Sequence, residues 1–300
     1  MLALSASDLA DLEPNPVISK ELSCKAMGHR VSAISALNNA ISEGLRNYEE
    51  ANAMLATCFS LLFQSVMIED GLAEYMSFIR GTVTVGIQMG INKYPVLFKT
   101  LFEGNGEAAV DPAMLAAPLI SPTLVRGALG SLERICPLCK HPVELEIYGM
   151  LLATARALIT SSRDAWMCLK KIYGLFSYLM PQASFTYYID PRNRVCQILQ
   201  AHFVALQLIM TPVTRNEKVV SDQKKNLRVN DGTTAKWFRP LHKDVPVEWS
   251  RYYEWTMWVE RECSEGRVYN GIVKVEDEDE ASFCENGWPQ SRSVEVDDAS

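Results

Sequence analysis

What this 300-residue chain has little of narrows it before any motif does. No uninterrupted apolar run approaches the roughly 18 residues of a membrane span. The densest stretches, Ile147 to Ala155 and Val204 to Met210, have the length of buried helices. Its eight cysteines are too few for a disulfide scaffold, and Cys58, Cys168 and Cys196 lie inside apolar helical patterns, which points to a reducing compartment. Asp8, Asp11 and Glu13 interrupt the short apolar start, so no secretory leader is expected there. Net charge is −7, yet residues 271–300 alone hold nine carboxylates against Lys274 and Arg292, which accounts for all of it. Residues 1–270 are therefore neutral, and a body that grips nucleic acid through a broad basic surface is not expected. There is no G-x-S-x-G elbow, no phosphate-cradling G-x-x-x-x-G-K, no H-E-x-x-H and no aspartate-rich metal motif on an apolar helix. An enzyme is not expected.

What is present reads as helix. From about Pro16 to Thr214 apolar residues recur at helical spacing and β-branched alternation is scarce, which predicts an all-α fold. Ile34, Leu37 and Ile41 form one stripe, Gly44 can end it, and Asn47 can cap the next helix by accepting from the amide near Glu50. Met54, Leu55, Cys58, Leu61, Leu62 and Val66 carry a buried face to a break at Asp70-Gly71. A helix from Leu72 towards Gly90 follows, with glycines at 81, 86 and 90 that would let neighbours approach. A short helix is expected around Tyr94 to Phe102 and another from Leu124 to about Ile135. Pro142 suits the first turn of a helix through Ile159, Ser161 or Ser162 can cap the following one, and Pro191 and Pro212 bracket a helix from Val195 to Met210. The expected organisation is a disordered 1–14, a helical regulatory domain over 15–215, a basic linker over 216–246, a late aromatic helix over 247–263 packing on the domain, and an acidic disordered tail over 264–300.

Three features carry candidate chemistry. Cys136-Pro-Leu-Cys139 with His141 is the one metal-like spacing, but it is half a site, and an inert pair at a helix start is favoured over a metal ligand set. Cys24 and His29 are without sequence partners, and His202 beside Phe203 suits a hydrogen-bonding core histidine. Tyr148, Met150, Leu151, Tyr173, Phe176, Met180, Phe203, Leu206, Ile209 and Met210 fall on the helices at 147–159, 166–180 and 196–210. Methionine and aromatic residues on facing helices can line an adaptable pocket for an apolar ligand, or can simply fill the core, and periodicity favours the second. In the tail, Val275, Phe283, Trp288 and Val294 interspersed among carboxylates suit either an activation segment that meets a coactivator or a solubilising one.

The stretch Ala26-Met27-Gly28-His29-Arg30, then Ala33-Ile34, Ala36-Leu37-Asn38, Glu50 to Ala56, Gln64-Ser65, Met67, Asp70-Gly71-Leu72 and Arg80-Gly81 resembles the regulatory region of fungal binuclear zinc cluster transcription factors, particularly the branch of sterol-uptake regulators. Leu199 to Phe203, Leu206-Gln207 and Tyr253-Glu254-Trp255 are similar too, so the likeness spans roughly 15–260. It implies an all-helical domain in the nucleus that regulates RNA polymerase II transcription, in some members by binding a sterol, with coactivators or the transcription machinery as partners and a homodimer as an open option. It also implies a six-cysteine zinc module that reads DNA, for which this chain has only Cys24 before Cys58. No cofactor is expected here, zinc belonging to a longer product, and direct DNA binding by this polypeptide is not expected. The chain is either a fragment of a longer factor or a regulator without its own DNA reader.

Overall fold

The computed structural model describes residues 1–97, 115, 117–214 and 233–265, and among these every regular element is helical. The all-α reading therefore holds. Helix α1 covers Leu2–Leu12, α2 Pro16–Glu43, α3 Tyr48–Met67 and α4 Leu72–Ile91. Asn15 caps α2 by accepting from Val17 and Ile18, and Gly44 ends that helix with φ +81°, a conformation open to glycine. Asn47 accepts from the Glu50 amide at 2.8 Å at the start of α3.

The second half continues with α5 (Pro122–Ile135), a 3₁₀ turn at Cys136–Leu138, α6 (Pro142–Ala157) and α7 (Ser162–Gly174). A π turn at Leu175–Leu179 leads to α8 (Gln182–Ile189) and α9 (Arg194–Ile209). A 3₁₀ turn at Thr233–Trp237, the short α10 (Phe238–His242) and α11 (Val247–Ser264) complete the described chain. Ser161, rather than Ser162, caps α7, accepting from Asp164 at 3.1 Å.

Two cores result. Leu37, Leu55, Cys58, Leu61, Val85 and Met89 join α2, α3 and α4 in the smaller one. The larger one surrounds α9, whose buried residues include Cys196, Ile198, Leu199, Phe203 and Val204, so that its apolar pattern runs around the whole helix as a central position requires. Helices α5, α6 and α11 pack on it.

Several boundaries differ from the sequence reading, each for a local physical reason. Residues 1–14, expected to be disordered, hold α1, because Ala3 and Ala10 bury against neighbours and the chain is tied down by Ser19 Oγ donating to the Ala10 carbonyl at 2.8 Å and Gln64 Nε2 to the Ala3 carbonyl at 3.2 Å. Within the expected 216–246 linker, 216–232 lie outside the described residues, but Trp237, Phe238 and Leu241 are buried in the larger core. Residues 94–97 of the expected helix at Tyr94 are not helical, and the rest lies outside the described residues. Asn193, not Pro191, opens α9, accepting from Cys196 at 3.2 Å, and Pro212 lies in a further helical turn after Met210. The acidic tail beyond residue 265 also lies outside the described residues.

Candidate functional site

The ten candidate pocket residues lie in or against the larger core. Leu151, Phe176, Met180, Phe203, Leu206, Ile209 and Met210 are at most 1% exposed, while Tyr148, Met150 and Tyr173 pack half-buried against the same core. Their centre is an aromatic triad: Tyr173 and Phe176 from the α7 end meet Phe203 of α9 edge-on, with ring centroids 5.4 to 5.9 Å apart. Tyr148 stands apart from it, beside Cys136 and Cys139. Two surface grooves, of about 420 Å³ on α2 and about 600 Å³ between α1, the α3 tip, α10 and α11, have none of the ten in their walls.

Around the triad, polar side chains hold the backbone where regular hydrogen bonding fails. The π turn closes with the Met180 amide donating to the Leu175 carbonyl at 2.8 Å. Arg80 of α4 donates to the carbonyls of Phe176 at 3.3 Å and Met180 at 2.8 Å, and its guanidinium lies 5.2 Å from the Phe185 ring centroid. Gln207 donates its amide to the Tyr173 hydroxyl, and its own side-chain oxygen is buried with no partner among the described residues.

His202 is a core histidine. Its Nδ1 meets the Ile198 carbonyl at 2.8 Å; since a carbonyl only accepts, the proton sits on Nδ1 and the Ser131 hydroxyl donates to Nε2 at 2.8 Å. Burial pushes its pKa down to about 4, with the nearby Arg134 charge adding to the shift.

The Cys-x-x-Cys element is built as a helix start. Glu144 Oε2 accepts from the amides of Lys140 at 2.8 Å and His141 at 2.9 Å, its Oε1 accepts from the Tyr187 hydroxyl at 2.7 Å, and His141 Nδ1 accepts from the Val143 amide at 3.3 Å. His141 is thus engaged in capping. Burial raises the Cys139 thiol to about 11 and that of Cys196 to about 12, which disfavours the thiolate form that a metal needs. Among the described residues no group of three or more His, Cys, Asp or Glu is placed to hold a metal ion, and a binuclear zinc cluster does not fit Cys24, alone on α2, or this pair.

A buried polar hub was not found from sequence. Arg30, 1% exposed, donates to the Leu61 carbonyl at 3.2 Å, Gln64 Oε1 at 3.0 Å and Ser65 Oγ at 2.7 Å, and also holds Glu74. Gln64 passes the network to α1 through Ser7 at 2.9 Å, and Trp237 Nε1 donates to the Ser65 carbonyl at 3.2 Å. The only signal in the sequence was that Arg30, Gln64 and Ser65 all fall in the stretch that carries the resemblance.

Compared with known proteins, the chain matches no family model, no curated sequence and no solved structure. No helix among the described residues is long and apolar enough to cross a membrane.

Proposed function

We propose that the chain is the helical regulatory domain of a transcription factor of the fungal zinc cluster class, acting on RNA polymerase II transcription in the nucleus through protein contacts and responding to an apolar ligand such as a sterol. The observation that carries the reading is the Arg30 hub. Arg30, Gln64 and Ser65, which fall in the stretches that carry the resemblance, form one interlocked unit with Glu74, in which a buried guanidinium ties α2, α3 and α4 together. The ligand part is supported by the π turn held by Arg80 next to the triad, and by the Gln207 oxygen, which can accept from a ligand hydroxyl. A ligand entering there shifts the population between packed and opened arrangements by no more than its differential affinity for them.

The second reading is a ligand-free interaction module. The near-complete burial of seven of the ten candidates favours it, since a core filled by its own side chains has no need of a guest.

One experiment separates the two. The purified chain is heated with a panel of sterols and other lipids, and co-purified lipid is sought by mass spectrometry. Saturable stabilisation by one sterol class supports sensing, because ligands that bind the native state raise its apparent stability. No shift and no co-purified lipid leaves the interaction module. Fusing the chain to an unrelated DNA-binding domain in a reporter assay tests the transcriptional part, which fails if output equals that of the DNA-binding domain alone.

A further inference from the structure

The cap at the start of α6 uses Glu144 and the ring of His141, and neither sulfur of the preceding Cys136-Pro137-Leu138-Cys139 turn takes part in it. What the turn does is bring two thiols together. The Cys139 amide donates to the Cys136 carbonyl at 3.2 Å, which closes the 3₁₀ turn over Cys136–Leu138. Residues three apart in such a turn are eclipsed, and a rise of about 2.0 Å per residue sets their Cα atoms roughly 6 Å apart. A disulfide bridges that separation without backbone movement. Pro137, its φ fixed by the ring, holds the turn in this shape.

The two sulfurs are placed for different tasks. Cys136 is exposed and meets whatever is dissolved around the protein. Cys139 is 4% exposed, its thiol directed at the Ile135 carbonyl 3.7 Å away. Tyr148 of α6 stands beside both, and its hydroxyl hydrogen-bonds Cys136. Burial first, and then the two cysteines, push that phenol up to about 12, so it keeps its proton at every ordinary pH. A standing donor therefore sits next to the exposed sulfur, where an oxygen leaving that sulfur's reaction partner needs a proton.

We propose that Cys136 and Cys139 are a peroxide-oxidised pair, in which a hydroperoxide converts the exposed thiol to a sulfenic acid and the buried thiol resolves it as an intramolecular disulfide. The Cys136 thiolate attacks one peroxide oxygen, the O–O bond breaks, and the departing oxygen, stabilised by the Tyr148 hydroxyl, takes up the proton that Cys136 released. The Cys139 sulfur then attacks the Cys136 sulfur, the S–O bond breaks, and the leaving hydroxide carries the Cys139 proton away as water. Two thiols lose two electrons and two protons, and hydrogen peroxide becomes two molecules of water. The pair's chemistry does not depend on any transcriptional role.

Burial sets its tempo in both directions. The Cys139 thiol, pushed up to about 11 by burial with the Glu144 charge adding, is a slow nucleophile that acts because it is already held beside its target. On the way back, a reducing thiol reaches only the exposed Cys136 sulfur and has to expel the Cys139 thiolate, whose high pKa makes it a poor leaving group. The disulfide forms slowly and persists, tying the end of α5 to the start of α6.

The test treats the full chain with hydrogen peroxide, with and without dimedone to trap sulfenic acids, and maps its cysteines by non-reducing peptide mass spectrometry. Trypsin leaves both residues in one peptide, 135–140, so the disulfide reads as that peptide lighter by two hydrogens and closed to alkylation. The wild type is expected to close it before Cys24, which is also exposed, is modified. Cys139→Ser is expected to stop at a dimedone-labelled Cys136, and Cys136→Ser to leave residue 139 reduced. Tyr148→Phe is expected to slow closure at least ~10-fold while leaving alkylation of Cys136 by iodoacetamide unchanged, since iodide leaves without a proton. Closure at the wild-type rate in that variant overturns the role of Tyr148. A wild-type sulfenic acid that dimedone captures without any closed peptide overturns the proposal, as does a disulfide from Cys139 to Cys196, or oxidation of Cys24 while the turn stays reduced. These decisive readings come from the wild-type chain and need no variant to fold.

Discussion

The guanidinium of Arg30 donates to the hydroxyl of Ser65 at 2.7 Å, and that hydroxyl in turn donates to the Leu61 carbonyl one turn back at 2.8 Å. A cation 1% exposed thereby satisfies a helix surface that would otherwise bury bare acceptors. Glu74, the carboxylate of the set, is 49% exposed and contributes little by itself. Arg30→Met leaves buried Gln64 Oε1 without its donor and removes the guanidinium from Ser65 Oγ and the Leu61 carbonyl, which keep only each other, and is expected to cost about 3 kcal/mol in urea unfolding. Arg30→Lys recovers only part, because one ammonium cannot reproduce the planar fork. A loss under about 1 kcal/mol for Arg30→Met would show that the hub is dispensable.

His202 gives a pH dependence with a definite sign. Its folded pKa lies below the unfolded one, so the unfolded chain binds the proton more readily and stability falls as pH drops from about 6.5 to about 4. Above that window the contribution is fully present. Unfolding midpoints across the range should decline for the wild type by the equivalent of about 3 kcal/mol and far less for His202→Asn, whatever other groups add below it.

At Gly71 space is the constraint. A Cβ built there would lie well inside van der Waals contact with the Ser65 carbonyl oxygen, the same oxygen that takes the Trp237 indole. Gly71→Ala therefore forces the start of α4 away from α3, with an expected loss of about 2 kcal/mol. An unchanged unfolding midpoint would mean that this junction yields freely.

Phe203 separates core from pocket. If the triad is packed as described, Phe203→Ala removes about 3–5 kcal/mol of stability. Phe203→Leu keeps most of the volume and should fold. Sterol-dependent stabilisation that survives in Phe203→Leu unchanged removes Phe203 from the ligand-contact list.

Local signals were legible in the sequence where their physics is local. Asn47, Gly44 and Ser161 act within one turn, so their caps could be read from spacing. Arg30 could not, because a charged residue reads as surface until the acceptors of another helix, more than thirty positions away, are known to surround it. Helix α1 was hidden for a like reason, its carboxylates outweighing the small faces of Ala3 and Ala10 that dock on neighbours. Trp237 and Phe238 lay masked by the basic residues around them. The ten core candidates were found as a cluster, but periodicity cannot tell a filled interior from one that opens.

The bond from Trp237 to Ser65 spans 172 residues. On a ribosome adding roughly 5 to 20 residues per second, α3 waits about 10 to 30 s for the indole that covers it. Through that interval the nascent chain shows Tyr75, whose ring the indole will later meet at 5.0 Å, and the Ser65 carbonyl to whatever binds unfinished proteins. Synthesis, not ligand, then sets when the amino-terminal hairpins are first sealed.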